Sequence, residues 1–278
     1  MTKTYIRLQG TGGLNLINRI DRKFAELKGK NEKALIPFVT AGDPDMETTE
    51  KLVLSMFGAG ADLVELGVPF SDPVAEGPVI QKASKRSIDG GTTLVKIFAL
   101  VERLRQKTDG PLLLMMYINS IYRFGTERFF KLCAEKGVDG VIVPDLPYEE
   151  RAEIQRDAEQ NGVYPIRLVA PTSHERTAMI ARDAKGFLYC VSSTGVTGMR
   201  GSFSTDFDEF FSTVKKYAKI PCAVGFGIST PEQARQMGAY CDGVIIGSAI
   251  VKIVEMEGRA CVRHVEEFVG SVKKAIKK

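Results

Sequence analysis

The chain has no tryptophan, only two histidines, five cysteines without a C-x-x-C pair, and no apolar run long enough to span a bilayer. With His174 and His264 as the whole supply, neither a multi-histidine metal site nor a Ser-His-Asp triad is expected. His174 follows Pro171-Thr172-Ser173 near a helix start and His264 lies in the last helical pattern, so each reads as a surface or capping residue. Acid–base chemistry is left to carboxylates. Cys133, Cys190, Cys222, Cys241 and Cys261 are scattered through the chain, mostly in apolar runs. They read as core packing in a reduced compartment rather than as a disulfide framework or zinc site. The most apolar C-terminal run, Gly243 to Val254, is broken by Lys252 and is shorter than the ~20 residues a membrane span needs. Met1 to Asn15 has no apolar core of a signal peptide. A soluble, cytoplasmic protein is expected. The net charge of +4 owes part of its excess to Lys273, Lys274, Lys277 and Lys278, and no basic stripe carries interleaved aromatics. Nucleic acid is therefore not implied.

What is present is an ordinary globular composition, 44% hydrophobic and 26% charged over 278 residues, which suits one large domain. Short apolar runs alternate with longer amphipathic ones. Strands are predicted at Ala34–Val39, Ala61–Leu66, Leu112–Tyr117, Gly140–Val143, Pro165–Val169, Phe187–Val191, Ala223–Phe226 and Gly243–Ile246. Helical patterns fill the gaps, at Met46–Phe57, Leu94–Gln106, Glu127–Glu135, Glu149–Asn161, Glu175–Asp183, Asp206–Tyr217 and Pro231–Gly238. Near-continuous apolar strands covered by helices describe a parallel sheet buried on both faces. Eight such units predict an α/β protein with a single-domain (β/α)₈ TIM barrel. An open doubly wound sheet is the alternative, but it asks for fewer strands and a Gly-rich first turn. Asn15 to Lys28 reads as an extra N-terminal helix closing the barrel bottom, with Gly29-Lys30-Asn31 as its stop. Residues 1–14 form an extension of no assigned use, residues 15–278 the barrel, and Pro78 to Ser87 an additional helical turn.

The richest segment is Val64-Glu65-Leu66-Gly67-Val68-Pro69-Phe70-Ser71-Asp72-Pro73-Val74-Ala75-Glu76-Gly77-Pro78. A carboxylate at the tip of a buried strand is costly unless it is used or paired. Glu65 could be a salt-bridged strand end. Glu65 and Glu76 together, rigidly mounted in different surroundings, are also what proton transfer requires. Three later loops carry small and hydroxylated residues: Ser192 to Gly201, Gly225-Phe226-Gly227-Ile228-Ser229-Thr230-Pro231, and Gly247-Ser248-Ala249-Ile250-Val251. The first suits a mobile lid or a plain surface loop. The other two follow strands seven and eight, where exposed N–H groups and a helix dipole favour a phosphate over ordinary turn chemistry.

These residues resemble the tryptophan synthase α chain family. The likeness runs from about Ile17 to the C-terminus. It rests on Pro37-Phe38-Val39-Thr40-Ala41-Gly42-Asp43-Pro44, the Glu65–Pro78 block, Gly195-Val196-Thr197-Gly198, Gly225-Phe226-Gly227-Ile228-Ser229 and Gly247-Ser248-Ala249-Ile250-Val251-Lys252. The resemblance implies a lyase that splits indole-3-glycerol phosphate into indole and glyceraldehyde 3-phosphate by retro-aldol cleavage. It implies no cofactor or metal in this chain, and a pyridoxal-phosphate-dependent β chain that receives the indole in an α₂β₂ assembly.

Carried over by position, Glu65 resembles the general acid that protonates C3 of the indole ring. Glu76 stands where the family has aspartate, in Ala75-Glu76-Gly77-Pro78, and would accept the indole N–H. Phe38, Met115, Tyr117 and Ile142 would line an apolar indole slot, with Phe226 near the glycerol phosphate and Tyr189 near the catalytic carboxylate. Thr197 would lie beside Glu76, and Gly198, Gly227, Ser229, Gly247 and Ser248 would hold phosphate. Asn119 and Asp145, on loops, would face the β chain, and Asp72 and Pro73 would relay closure to it.

Glu65, walled by Phe38, Leu66 and Tyr117, should hold a proton near neutrality, while Glu76 on a polar loop should stay ionised. A stand-alone lyase releasing free indole, a catalytically weak partner that only activates a β chain, and another phosphosugar barrel such as an isomerase remain the alternatives. The missing tryptophan is consistent with synthesis under tryptophan starvation.

Overall fold

The computed structural model describes residues 17–171, 173–191, 207–225 and 227–277. The predicted extension 1–14 lies outside them. In chain order the elements are α1 (Arg19–Lys30), β1 (Ala34–Thr40), α2 (Met46–Gly58), β2 (Val64–Gly67), α3 (Pro78–Asp89), α4 (Leu94–Arg105) and β3 (Leu112–Met115). There follow α5 (Ile118–Phe124), α6 (Thr126–Lys136), β4 (Gly140–Ile142), a 3₁₀ turn (Tyr148–Glu150), α7 (Ala152–Gln160), β5 (Tyr164–Val169), α8 (His174–Asp183) and β6 (Leu188–Val191). The chain ends with α9 (Phe207–Tyr217), β7 (Cys222–Gly225), α10 (Pro231–Gly238), β8 (Gly243–Ile246), α11 (Ser248–Glu257), a 3₁₀ turn (Gly258–Ala260) and α12 (Val262–Ile276). The strands close in sequence order into an all-parallel barrel, β8 pairing back to β1.

Side-chain alternation along each strand divides the apolar residues into two cores. Ile36, Phe38, Leu113, Met115, Ile142, Ile166, Tyr189 and Ile245 fill the barrel interior. Leu35, Val39, Val64, Leu66, Leu114, Val141, Cys190 and Val244 face outward under the helices. The same parity fixes Glu65. Its neighbours Val64 and Leu66 pack outward, and it pairs in register with Phe38 and Leu113, so its carboxyl must point into the barrel. Leu66, expected to wall Glu65, therefore belongs to the other face.

The bottom is plugged by α1, which buries Ile20, Phe24 and Leu27 in the interior core and sets Phe24 5.7 Å from Phe187. It begins at Arg19 with Asn18 as its cap, and it stops at Asn31, the residue in left-handed conformation. Gly29 and Lys30, expected to break it, are helical. Asp139 anchors this end: it accepts from Arg19 at 2.9 Å, from Arg105 at 2.6 Å and from the Leu112 N–H at 2.8 Å. Burial still outweighs these partners and holds its carboxyl above the usual range. Such a group is no gain over apolar packing, but losing its charge strands the buried Arg105. Asp139→Asn is expected to cost about 3 kcal/mol in urea denaturation, and an unchanged midpoint would contradict this.

Two helices exceed the sequence reading. The segment from Pro78 is a full helix, α3, opened by a proline in its first turn where the missing N–H costs nothing. α5 has no local start signal, because its cap comes from far along the chain: Asp145 accepts the Ile118 N–H at 3.0 Å. Asn119 accordingly sits in a helix, not a loop. All five cysteines are free and buried, as core packing requires. Among the described residues no helix is long and apolar enough to cross a membrane.

Candidate active site

At the C-terminal mouth of the barrel Glu65 faces a small cavity lined by Phe38, Ile80, Met115, Tyr189, Gly227, Ile228, Ile245, Gly247 and Ser248. Six residues expected at the site thus meet around the carboxyl: Phe38, Met115, Tyr189, Gly227, Gly247 and Ser248. Glu65 is 0% exposed, and neither oxygen is bonded to any described residue. Burial alone pushes its carboxyl up to about 8. It therefore holds a proton at neutral pH, poised over an apolar pocket: the condition of a general acid.

The surroundings follow from strand geometry. Gly67, two residues beyond Glu65, leaves the space that the Phe38 ring fills; a Cβ there would lie 2.4 Å from Phe38 Cζ. Gly225 plays the same part for Tyr189, whose hydroxyl would meet a Cβ at 2.6 Å. Tyr189 is buried, and burial, reinforced by Glu65 once that carboxyl ionises, holds its phenol well above the usual range. Three wall residues escaped the sequence reading: Ile80, Ile228, which lay inside the Gly225–Ser229 motif without a role, and Ile245. Ile245 was legible as an inward position of β8, whereas Ile80 belongs to α3, whose length was underestimated.

Glu76 differs from expectation. The reading of an ionised acid on a polar loop meets a residue that is 8% exposed, and burial raises its carboxyl above the usual range. The Tyr117 hydroxyl donates to its Oε2 and pulls the value back down. Tyr117 was expected in the indole slot. Instead its hydroxyl also accepts the Val74 and Ala75 N–H groups, at 3.0 and 2.9 Å, and Phe70 stacks on its ring with centroids 4.8 Å apart. One phenol thus pins the backbone just before Glu76 and orients its carboxylate. No sequence spacing reveals this contact across 41 residues. Ile142 is fully buried in the interior core and does not line the cavity.

At the phosphate side, Gly227 has φ 84°, and Gly247 leads into Ser248 at the start of α11. Ser229 lies apart from the cavity, its N–H and hydroxyl both donating to Gln233 Oε1 at 2.8 and 3.0 Å. In this geometry both of its donors are committed to Gln233. Thr197, Gly198 and Phe226 lie outside the described residues. Asp72 is exposed and Pro73 half-buried on the loop between β2 and α3, and Asp145 is committed to capping α5.

The sequence profile of the family "Tryptophan synthase alpha chain" matches residues 24–277. The chain belongs to the tryptophan synthase alpha chain family. It is 48% identical over 262 residues to the tryptophan synthase alpha chain of Thermoanaerobacter sp. (strain X514), covering 94% of this chain and 100% of that one. Its fold is similar to that of the tryptophan synthase alpha subunit of Legionella pneumophila str. Paris, with a TM-score of 0.85 and 36% identity over 94% of this chain and 99% of that one. A chain of the Pyrococcus furiosus tryptophan synthase complex aligns with a TM-score of 0.80 and 34% identity, over 87% of this chain and 98% of that one. This places the chain among the lyases of tryptophan biosynthesis.

Proposed function

We propose that this chain cleaves indole-3-glycerol phosphate to indole and glyceraldehyde 3-phosphate and passes the indole to a pyridoxal-phosphate-dependent β chain in an α₂β₂ assembly. The observation that carries the chemistry is the solitary buried carboxyl of Glu65, protonated at neutrality and facing an apolar cavity. Glu65 protonates C3 of the indole ring. Glu76 accepts the ring N–H through the oxygen that Tyr117 leaves free, and so stabilises the indolenine cation. The ionised Glu65 then takes the proton of the carbinol hydroxyl as the C3–C1′ bond breaks, giving the aldehyde and restoring both indole and acid. These steps use side chains alone; the pyridoxal phosphate belongs to the β chain.

Phe38 and Met115 would flank the indole. Gly227, Gly247 and Ser248 would receive the phosphate at the α11 N-terminus, and the family resemblance adds Gly198 and Phe226. Asp72, Pro73 and Asn119 would face the β chain, with Asp145 holding α5 in place for it. A cytoplasmic setting fits the free cysteines.

Indole release by the purified chain, alone and with a cognate β chain, tests this. Slow turnover alone and at least tenfold stimulation by the partner is the expected result. Fast turnover unmoved by the partner would make this a free-standing lyase, and no turnover in either case would sink the reading.

A further inference from the structure

A second cavity, of about 460 Å³, opens between the tops of β4 and β5 and helices α7 and α8. That volume is in the range of small-molecule sites, ~300–1,000 Å³. It shares no lining residue with the Glu65 cavity. Its walls are mostly apolar, with Val143, Leu146, Ile154 and Ile180 among them, and no described acidic side chain lines it.

Arg167 is the unusual group. It lies within β5 between Ile166 and Leu168, both of which face the barrel interior, so it points outward beneath α7 and α8. It is 9% exposed and lines the cavity. Among the described residues its one side-chain bond is to Gln155 Oε1, at 3.2 Å. A guanidinium has five N–H donors, and a buried one with no carboxylate bonded to it is costly.

The neighbouring cations have partners of their own. Arg151 is bonded to Asp183 at 3.0 Å, and Arg176 forms a two-pronged pair with Glu149 at 2.6 and 2.9 Å. Burial holds Arg167 below the usual guanidinium range, although the charges of Asp183 and Glu159 oppose that shift. The first turn of α8, through Arg176 and Thr177, also borders the cavity and adds the positive end of its dipole.

We propose that this cavity is a binding site for a small carboxylate with an apolar body, held by the guanidinium of Arg167. One free planar fork matches a carboxylate in two-pronged geometry, whereas a phosphate would ask for more cationic donors than remain unpaired. The apolar walls take the rest of the molecule. The far wall includes Val74 and Ala75, next to Glu76, so competition with the reaction site must be measured.

The test is calorimetric titration of phenylacetate, and separately of inorganic phosphate, into the full chain. Phenylacetate is expected to bind, to bind at least tenfold more weakly to Arg167→Met, and to be unaffected by saturating indolepropanol phosphate at the reaction site. Arg167→Met is expected to melt at or above the wild-type temperature, since an unpaired buried charge is replaced by a thioether. Should it fold poorly, Arg167→Lys, which keeps the charge and loses the fork, is expected to weaken binding likewise. Several outcomes would overturn the proposal: equal binding by wild type and both variants, displacement by indolepropanol phosphate, binding of phosphate alone, or no binding at all. Loss of phenylacetate binding in the presence of the β chain, with Arg167→Met weakening that complex, would assign the cavity to the partner instead.

Discussion

Glu65→Gln is expected to reduce indole release by about 10³-fold or more, the scale of a lost general acid, while leaving the fold and the affinity for indolepropanol phosphate unchanged. The substitution keeps the size and shape of the side chain in a pocket bounded by Phe38, Met115, Tyr189 and Ile245. It removes only the transferable proton. Retention of more than a few per cent of wild-type turnover would take Glu65 out of the acid's role. With wild type, kcat is expected to fall above about pH 8, where the carboxyl of Glu65 ionises.

The same carboxyl makes stability depend on pH. In the unfolded chain Glu65 titrates near 4.5, and in the fold near 8. Between those values the folded state holds a proton that the unfolded state has lost, so this group costs stability as pH rises through the interval, and the cost is complete above about 8. At 1.36 kcal/mol per pH unit the full effect is up to about 5 kcal/mol. Glu65→Gln has no proton to lose. Its stability advantage over wild type, read from urea unfolding, is expected to be small at pH 5 and to grow towards pH 9. An advantage that does not change with pH would mean that Glu65 is already ionised in the fold.

Strand positions and their order were legible because a barrel strand buried on both faces reads as an apolar run, and helices announce themselves by period and punctuation. Glu65 was legible for a related reason: a lone acid in such a run can only point inward, given its outward neighbours Val64 and Leu66. The failures share a physical cause as well. The start of α5 depends on Asp145, the orientation of Glu76 on Tyr117, and the diversion of Ser229 on Gln233. The first two are contacts between distant chain segments, which no local pattern encodes. The third is local, but two hydrogen bonds to one amide oxygen cannot be told in advance from two offered to a phosphate. Tyr117 illustrates the limit best. As an aromatic at the end of an apolar strand it reads as a wall of the slot, and only the closed barrel brings its hydroxyl to the loop after β2.

Glu76 is where this chain departs from the family's aspartate, and the contact with Tyr117 predicts how the position tolerates change. Glu76→Ala is expected to lower kcat by about 10²–10³-fold, because the indole N–H loses its acceptor and the cation formed on C3 protonation is left unscreened in a buried site. Glu76→Asp is expected to stay within about tenfold of wild type. The shorter side chain retains a carboxylate on the same backbone, which Tyr117 pins through the Val74 and Ala75 N–H groups. Tyr117→Phe separates the two contributions. It removes the hydrogen bond that opposes burial, so the Glu76 carboxyl rises further and the acidic limb of the pH–rate profile moves to higher pH. The same variant leaves two loop N–H groups without their acceptor, so its KM is expected to rise as well. Equal turnover by Glu76→Ala, Glu76→Asp and wild type would end the case for this residue. An acidic limb that stays in place in Tyr117→Phe would show that the phenol supports the loop without tuning its acid.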